Sequence, residues 1–290
     1  MSSGPASIGW IQRGGGDGCW GAPSTLHLPA DARGLLLAEG VFETVLVLNG
    51  RPQLLAAHLQ RWQRGAAVLG LAAPPPPARI EPLVHQAIAR SGIATGALRL
   101  NWCRDSAPRG LAPAGATESG ELFWLQLSAM VPSFEPLTVI ISPSEQRQAT
   151  SLLSHCKSFG YGSALIARRQ ASAAGADDAL LTSSAGGLCC GTAANLLVQG
   201  NDGWLTPPLN SGCLPGTMRQ QAIDRGLARE CPVTTADLLA SAGALLLNSL
   251  GCRPIRCPQH RGSHMGDGPR VGPRATVSPE LAEQLWRRLL

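Results

Sequence analysis

Lys157 is the only lysine in a chain of 290 residues, and arginine supplies the rest of the 24 basic side chains. Lysine is normally among the commoner amino acids. A composition that has replaced it everywhere else points to a position where a guanidinium will not serve. Arginine stays protonated, whereas a lysine amine can lose its proton and attack a carbonyl to form a Schiff base. A solvated surface lysine kept by chance is the other reading, and composition alone leaves both open. Two further features have the chemistry to hold anions. Arg61 follows His58 by three places; on the residues alone it reads as a solvated helix arginine. Gly212-Cys213-Leu214-Pro215-Gly216 precedes a helical stretch from Met218 to Leu227. A glycine loop opening a helix offers backbone N–H groups and the positive end of the helix dipole to a phosphate.

The elements that must position these residues are read from periodicity. Ile8 and Trp10 mark a short strand before a glycine-rich loop. Val41 to Leu48 is strand-like, and Asn49-Gly50 is the pair that best supports a type I′ turn, with the chain returning at Pro52 to Leu55. Leu55, Leu59, Trp62, Ala66 and Leu69 form one buried helical stripe; Arg61 lies off it, and His58 is structural. Pro74 to Pro77 is a stiff spacer before a helix over Ile80 to Arg90, and Leu98, Leu100 and Trp102 alternate in a half-buried strand. A loop over 112–120 and a strand from Leu122 to Val131 complete a small N-terminal α/β domain, residues 1–131. Pro132 to Pro136 is the interdomain linker, and residues 137–290 form a larger domain that carries Lys157. In it, strands are expected at Leu137 to Ser142, Ala179 to Leu181 and Leu245 to Leu247, and a helix at Ser163 to Ala174. Thr235 caps a helix through Ala242, Arg256 to Arg274 is a mobile loop, and Ser278-Pro279 opens the last helix.

Composition narrows the class. Hydrophobic content of 44% with 15% charged residues describes a soluble globular protein. The net charge of +5 comes without a basic block or aromatic ladder, which gives a nucleic-acid role little support. Nine cysteines lack paired metal spacing, so no metal site is expected. With no apolar leader and no window of membrane-spanning length, the cysteines read as reduced thiols of a cytoplasmic protein.

Several linked stretches then carry a resemblance. They are Asp31-Ala32-Arg33-Gly34, Glu39-Gly40-Val41-Phe42-Glu43-Thr44, His58-x-x-Arg61, and Arg104-Asp105-Ser106-Ala107-Pro108-Arg109-Gly110. The run Ser154 to Tyr161 around Lys157, Cys190-Gly191-Thr192-Ala193-Ala194-Asn195, and Gly212 to Arg219 complete the set. In that order and spacing the chain resembles the class IV (fold type IV) pyridoxal-phosphate enzymes over about residues 30–255. That family holds branched-chain and D-amino-acid aminotransferases and aminodeoxychorismate lyases. The resemblance implies a two-domain α/β (α+β) fold of the D-amino-acid aminotransferase type, with pyridoxal phosphate between the domains, and a homodimer acting on a small molecule. It implies Lys157 as the catalytic Schiff-base lysine. Arg61, Tyr161, Cys190, Asn195, Thr217, Met218 and Ser249 are the other cofactor contacts it implies, with Arg104 and Arg109 binding substrate carboxylates. The departure is Cys190, which stands where the family has a glutamate paired with the pyridine nitrogen. A thiol is a weak partner there, and Asp177 or Asp178 are the carboxylates close enough in sequence to substitute. The leading activity implied is lysis of aminodeoxychorismate to 4-aminobenzoate and pyruvate for folate synthesis. The alternatives are a class IV aminotransferase acting on branched-chain or D-amino acids, and a catalytically weakened relative.

Overall fold

The structure, a computed structural model, describes residues 6–106, 110–111, 120–257 and 270–290. By contacts the chain divides into two units: Met1–Val131 with Cys156–Gly160, and Pro132–His155 with Tyr161–Leu290. The reading of 137–290 as one continuous domain is amended by this division, because the five residues around Lys157 belong with the first unit. They are drawn there by backbone pairing described below.

The first unit has strands β1 (Ile8–Arg13), β2 (Cys19–Gly21), β3 (Gly40–Leu48), β4 (Arg51–Pro52), β5 (Gly96–Arg104) and β6 (Glu121–Ala129). Its helices are α1 (Arg33–Leu36), α2 (Leu55–Val68) and α3 (Pro77–Ser91). The strands form one antiparallel sheet in the order β2-β1-β6-β5-β3-β4. Asn49 and Gly50 take φ of 52° and 71°, the left-handed pair that a type I′ hairpin needs.

Strand alternation gives this sheet two chemically different faces. Val41, Val45, Leu98, Leu100, Phe123, Leu125 and Leu127 are buried with Leu59, Trp62 and Ala66 of α2 and Ile80, Val84 and Ala87 of α3 in one core. The opposite face carries Phe42, Asn101 and Trp124 in one cross-strand row and Thr44, Arg99 and Gln126 in the next. Burying one Leu- or Phe-sized side chain contributes about 1.5–3 kcal/mol, so the apolar row fixes the register. The polar row then falls on the other side.

The second unit contains β7 (Val139–Arg147), α4 (Gly162–Ala173), β8 (Asp178–Ser183), β9 (Leu188–Gly191), β10 (Asn195–Gly200), β11 (Gly203–Thr206) and α5 (Thr217–Asp224). It continues with β12 (Ala228–Glu230), α6 (Thr235–Ala240), β13 (Ala244–Asn248), β14 (Gly251–Pro254), β15 (Arg270–Val271) and α7 (Pro279–Arg287). The sheet order is β12-β11-β10-β9-β8-β7-β15, with β13 bridging β10 and β14. Thr234, not Thr235, caps α6, in a reciprocal capping box with Asp237. Of the expected loop at 256–274, residues 258–269 lie outside those described, and Arg270–Val271 forms a strand with β7. Most of the expected loop at 112–120 is likewise outside them.

Candidate active site

Lys157 is held by the backbone of β3. The Phe42 N–H donates to Lys157 O at 2.9 Å, and the Phe159 N–H donates to Gly40 O at 3.0 Å. Position 40 must be glycine for this approach: a Cβ there would lie 2.4 Å from a Phe159 ring carbon and 2.6 Å from Cys103 Cβ. With its main chain fixed, Lys157 places Nζ 4.2 Å from the centroid of the Phe42 ring. The guanidinium carbon of Arg99 lies 3.5 Å from the same centroid, and Arg99 Nε donates to Asn101 Oδ1 at 2.7 Å. An aromatic ring attracts cations over its faces, and this ring serves two. Arg99 was not among the sequence candidates. The signal that could have found it was alternation, since Arg99 and Asn101 share the face opposite Leu98 and Leu100.

Arg61 is buried, not solvated, because a carboxylate from the facing strand reaches it. Arg61 Nε and Nη2 donate to Glu43 Oε1 and Oε2 at 2.7 and 2.5 Å, and His58 Nδ1 lies 2.7 Å from Glu43 Oε2. Glu43 is 0% and Arg61 6% exposed. Burial raises the Glu43 carboxyl, but the Arg61 charge and the hydrogen bonds from Arg61 and His58 outweigh it and hold the group at about 2. Burial lowers the His58 pKa, Glu43 opposes it, and the Arg61 and Lys157 charges lower it further. An ionised carboxylate only accepts, so His58 carries its proton on Nδ1. The set is a neutral imidazole, a carboxylate and a guanidinium, with one charge of each sign. No periodicity in the sequence marks Glu43, a charged residue, as belonging on the core side of β3.

In the second unit the candidate phosphate-binding residues surround the start of α5. Gly216 precedes the helix in extended conformation and, as a glycine, contributes no side-chain cap. The start of a helix turns its first N–H groups and positive dipole end outward, an arrangement suited to an anion. Thr217 Oγ1 lies 3.4 Å from Ser249 Oγ. Asn195 Nδ2 donates to Leu214 O at 2.9 Å and pins the entering loop. A Cβ at position 216 would sit 2.0 Å from Asn195 Oδ1, so only glycine allows this approach. Met218 is buried, 1% exposed, which leaves only its backbone for such a role. Tyr161 is half-buried and immediately precedes α4.

Asn195 also pairs directly with Cys190 across β9 and β10. The Cys190 thiol is buried, and neither candidate carboxylate is idle. Asp178 accepts from Arg168 Nη2 at 2.9 Å and Thr192 Oγ1 at 2.6 Å. Asp177 accepts from the Thr138 N–H at 2.7 Å and its hydroxyl at 2.8 Å. Behind Cys190, the hydrogen bond with its thiol and burial push Cys189 up to about 12. Arg104 closes β5 rather than standing in a loop. Its Nη2 donates to Gly70 O at 2.8 Å, its Nε lies 3.3 Å from Glu39 Oε1, and its Nη1 lies 3.6 Å from Glu121 Oε1. Arg109 lies outside the described residues.

Each unit taken by itself holds groups whose chemistry suits pyridoxal phosphate: the first a lysine amine able to condense with an aldehyde, the second a helix start with two hydroxyls suited to a phosphate. The family model for amino-transferase class IV matches residues 40–257. The chain belongs to that family. Membership makes it a pyridoxal-phosphate-dependent enzyme of the aminotransferase and lyase type. It is 28% identical over 277 residues to a bifunctional aminodeoxychorismate lyase / D-amino acid transaminase of Mycobacterium tuberculosis, covering 90% of this chain and 93% of that one. A crystal structure from Legionella pneumophila, provisionally named a 4-amino-4-deoxychorismate lyase, is 28% identical with a TM-score of 0.74, covering 84% and 92%. The branched-chain amino acid aminotransferase of Escherichia coli, 16% identical, shares the fold at a TM-score of 0.79 over 96% and 92%. The two-sheet α/β architecture is therefore that of fold type IV. No described helix is long and apolar enough to cross a membrane.

Proposed function

We propose that this enzyme is a 4-amino-4-deoxychorismate lyase that releases 4-aminobenzoate and pyruvate for folate synthesis, acting in the cytoplasm as a homodimer. The observation that carries the reading is the Cys190 thiol opposite Asn195, with Asp177 and Asp178 both engaged elsewhere. When bound, the cofactor supplies an electron sink that weakens the C–H bond at the amine-bearing carbon, and a carboxylate at its ring nitrogen strengthens that sink. Transamination depends on the strong sink, because the carbanion must last until it is reprotonated elsewhere. Elimination drains the same electrons into a leaving group and a new aromatic ring, so a thiol suffices.

The residues of this chain divide the work accordingly. Lys157 holds the cofactor and, once released by the substrate amine, takes the proton from the amine-bearing carbon on Nζ. Arg61, Tyr161, Asn195, Thr217, Met218 and Ser249 hold the cofactor. Arg99 and Arg109 receive substrate carboxylates, a role that the contact of Arg99 with the same Phe42 ring as Lys157 supports. Arg104, already engaged by Glu39 and Glu121, orders the strand that leads to Arg109. The second reading, a class IV transaminase, is favoured by the dual activity of the mycobacterial relative. Product formation from aminodeoxychorismate beside amine transfer to 2-oxoglutarate separates the two. The wild-type protein is expected to make 4-aminobenzoate faster than it transaminates any common amino acid. Cys190→Glu is expected to raise transamination more than lysis. Transamination with no 4-aminobenzoate from the wild type overturns the lyase assignment.

A further inference from the structure

The turn after β13 that presents Ser249 is held from outside the sheet by the last helix. The Trp286 indole N–H on α7 donates to Asn248 O at 3.1 Å, and Trp286 is wholly buried with Phe134 packed against it at 5.3 Å in a T-shaped contact. The Asn248 side chain braces the same turn from within and ties it to the β9–β10 connection. Its Nδ2 donates to Ala193 O at 3.2 Å, and its Oδ1 accepts from the Leu250 N–H at 2.8 Å. Leu250 O accepts from the Ser133 N–H at 3.1 Å. The start of α7 is set by Ser278, whose hydroxyl accepts from the Leu281 N–H, with Pro279 in the first turn. Ser249 therefore stands 3.4 Å from Thr217 on a turn whose preceding carbonyl is oriented by a residue near the C-terminus.

We propose that Trp286 is a positioning residue for phosphate retention, and that α7 acts as a latch on the Asn248–Ser249–Leu250 turn. The proposal rests on the reading that Thr217 and Ser249 take the cofactor phosphate. An indole fits the task because it is a donor only on a rigid ring: it can orient one carbonyl without competing for the anion. Asn248 also pairs with Gly251 across the β13–β14 hairpin, so losing the indole removes the outer hold on this carbonyl, and the turn is freer to tilt. Tilting moves the Ser249 hydroxyl and the amide beside it away from Thr217.

The test compares pyridoxal phosphate with pyridoxal, which shares every group except the phosphate. Each is titrated into cofactor-free protein and followed by absorbance. Trp286→Phe keeps an aromatic ring against Phe134 and removes the donor. It is expected to weaken pyridoxal phosphate about fivefold, the scale of one neutral hydrogen bond, and to leave pyridoxal unchanged. Phe134→Leu loosens the packing but keeps the indole N–H, and is expected to lower the thermal midpoint without moving the ratio of the two affinities. Equal weakening of both ligands in Trp286→Phe, no weakening of either, or a matching ratio change in Phe134→Leu overturns the latch. The Thr217→Ala/Ser249→Ala double variant tests the reading underneath. An unchanged ratio there removes the phosphate assignment, whereas a changed ratio there with none in Trp286→Phe removes the latch alone.

Discussion

The two units build their share of the chemistry by opposite means. In the first, a buried guanidinium, carboxylate and imidazole hold one another, and two cations share the Phe42 ring. In the second, the candidate anion-binding groups are neutral: hydroxyls of Thr217 and Ser249, an amide side chain at Asn195, and the start of α5. A buried ion is tolerated only while its counter-ion and hydrogen bonds are in place. A neutral donor leaves little behind when removed. The first half should therefore be brittle toward substitution and sensitive to pH, and the second tolerant of both.

The largest effect is expected at Lys157, where the brittle half meets the chemistry. Lys157→Arg keeps the charge but cannot form the imine, so activity should fall by about 10³-fold or more. Borohydride should fix cofactor to Lys157 alone in the wild type and to nothing in the variant. Label recovered only at the N-terminal amine would overturn the assignment.

Next comes Arg61→Ala. It strands the Glu43 carboxylate in the core, and such losses cost about 3–5 kcal/mol. Urea unfolding should show that loss in cofactor-free protein, with part of it recovered when Glu43→Gln is added. By contrast, the Thr217→Ala/Ser249→Ala pair should cost under about 3 kcal/mol, two neutral hydrogen bonds at most. Equal losses from the two sets would erase the distinction between the halves.

The smallest effect expected is in the pH profile. Both Glu43 and His58 have folded pKa values below their ordinary values of 4.5 and 6.5. Each therefore contributes stability that is fully present above its ordinary value and lost as pH falls through its folded one. Unfolding free energy should begin to decline below about pH 6.5 through His58, at no more than about 1.4 kcal/mol per pH unit, and steepen below about 4.5 through Glu43. His58→Gln should flatten the upper part of that decline. An unaltered slope between pH 6.5 and 5 would show that His58 is not the group responsible.

Much of this arrangement was legible in the order of residues. Asn49-Gly50 demands its turn because few residues take positive φ at low cost. The stripe Leu55, Leu59, Trp62 and Ala66 demands a helix packed on one side. Lys157 stands out because nothing else in the chain shares its chemistry, and the linked motifs around it carry the family. These are local or compositional properties, and a linear sequence holds them in full. What it does not hold is which charge meets which. Arg61 reads as solvated until Glu43, on a strand 18 positions earlier, is brought onto its face. Arg104 reads as a substrate ligand until Glu39 and Glu121 close around it, and Arg99 is silent until the fold brings it to the Phe42 ring that Lys157 also contacts. The grouping of Cys156–Gly160 with the first sheet depends likewise on two hydrogen bonds to β3. Propensity and periodicity are summed along the chain. Coulomb energy and hydrogen bonding depend on distance through space, and only the folded chain sets those distances.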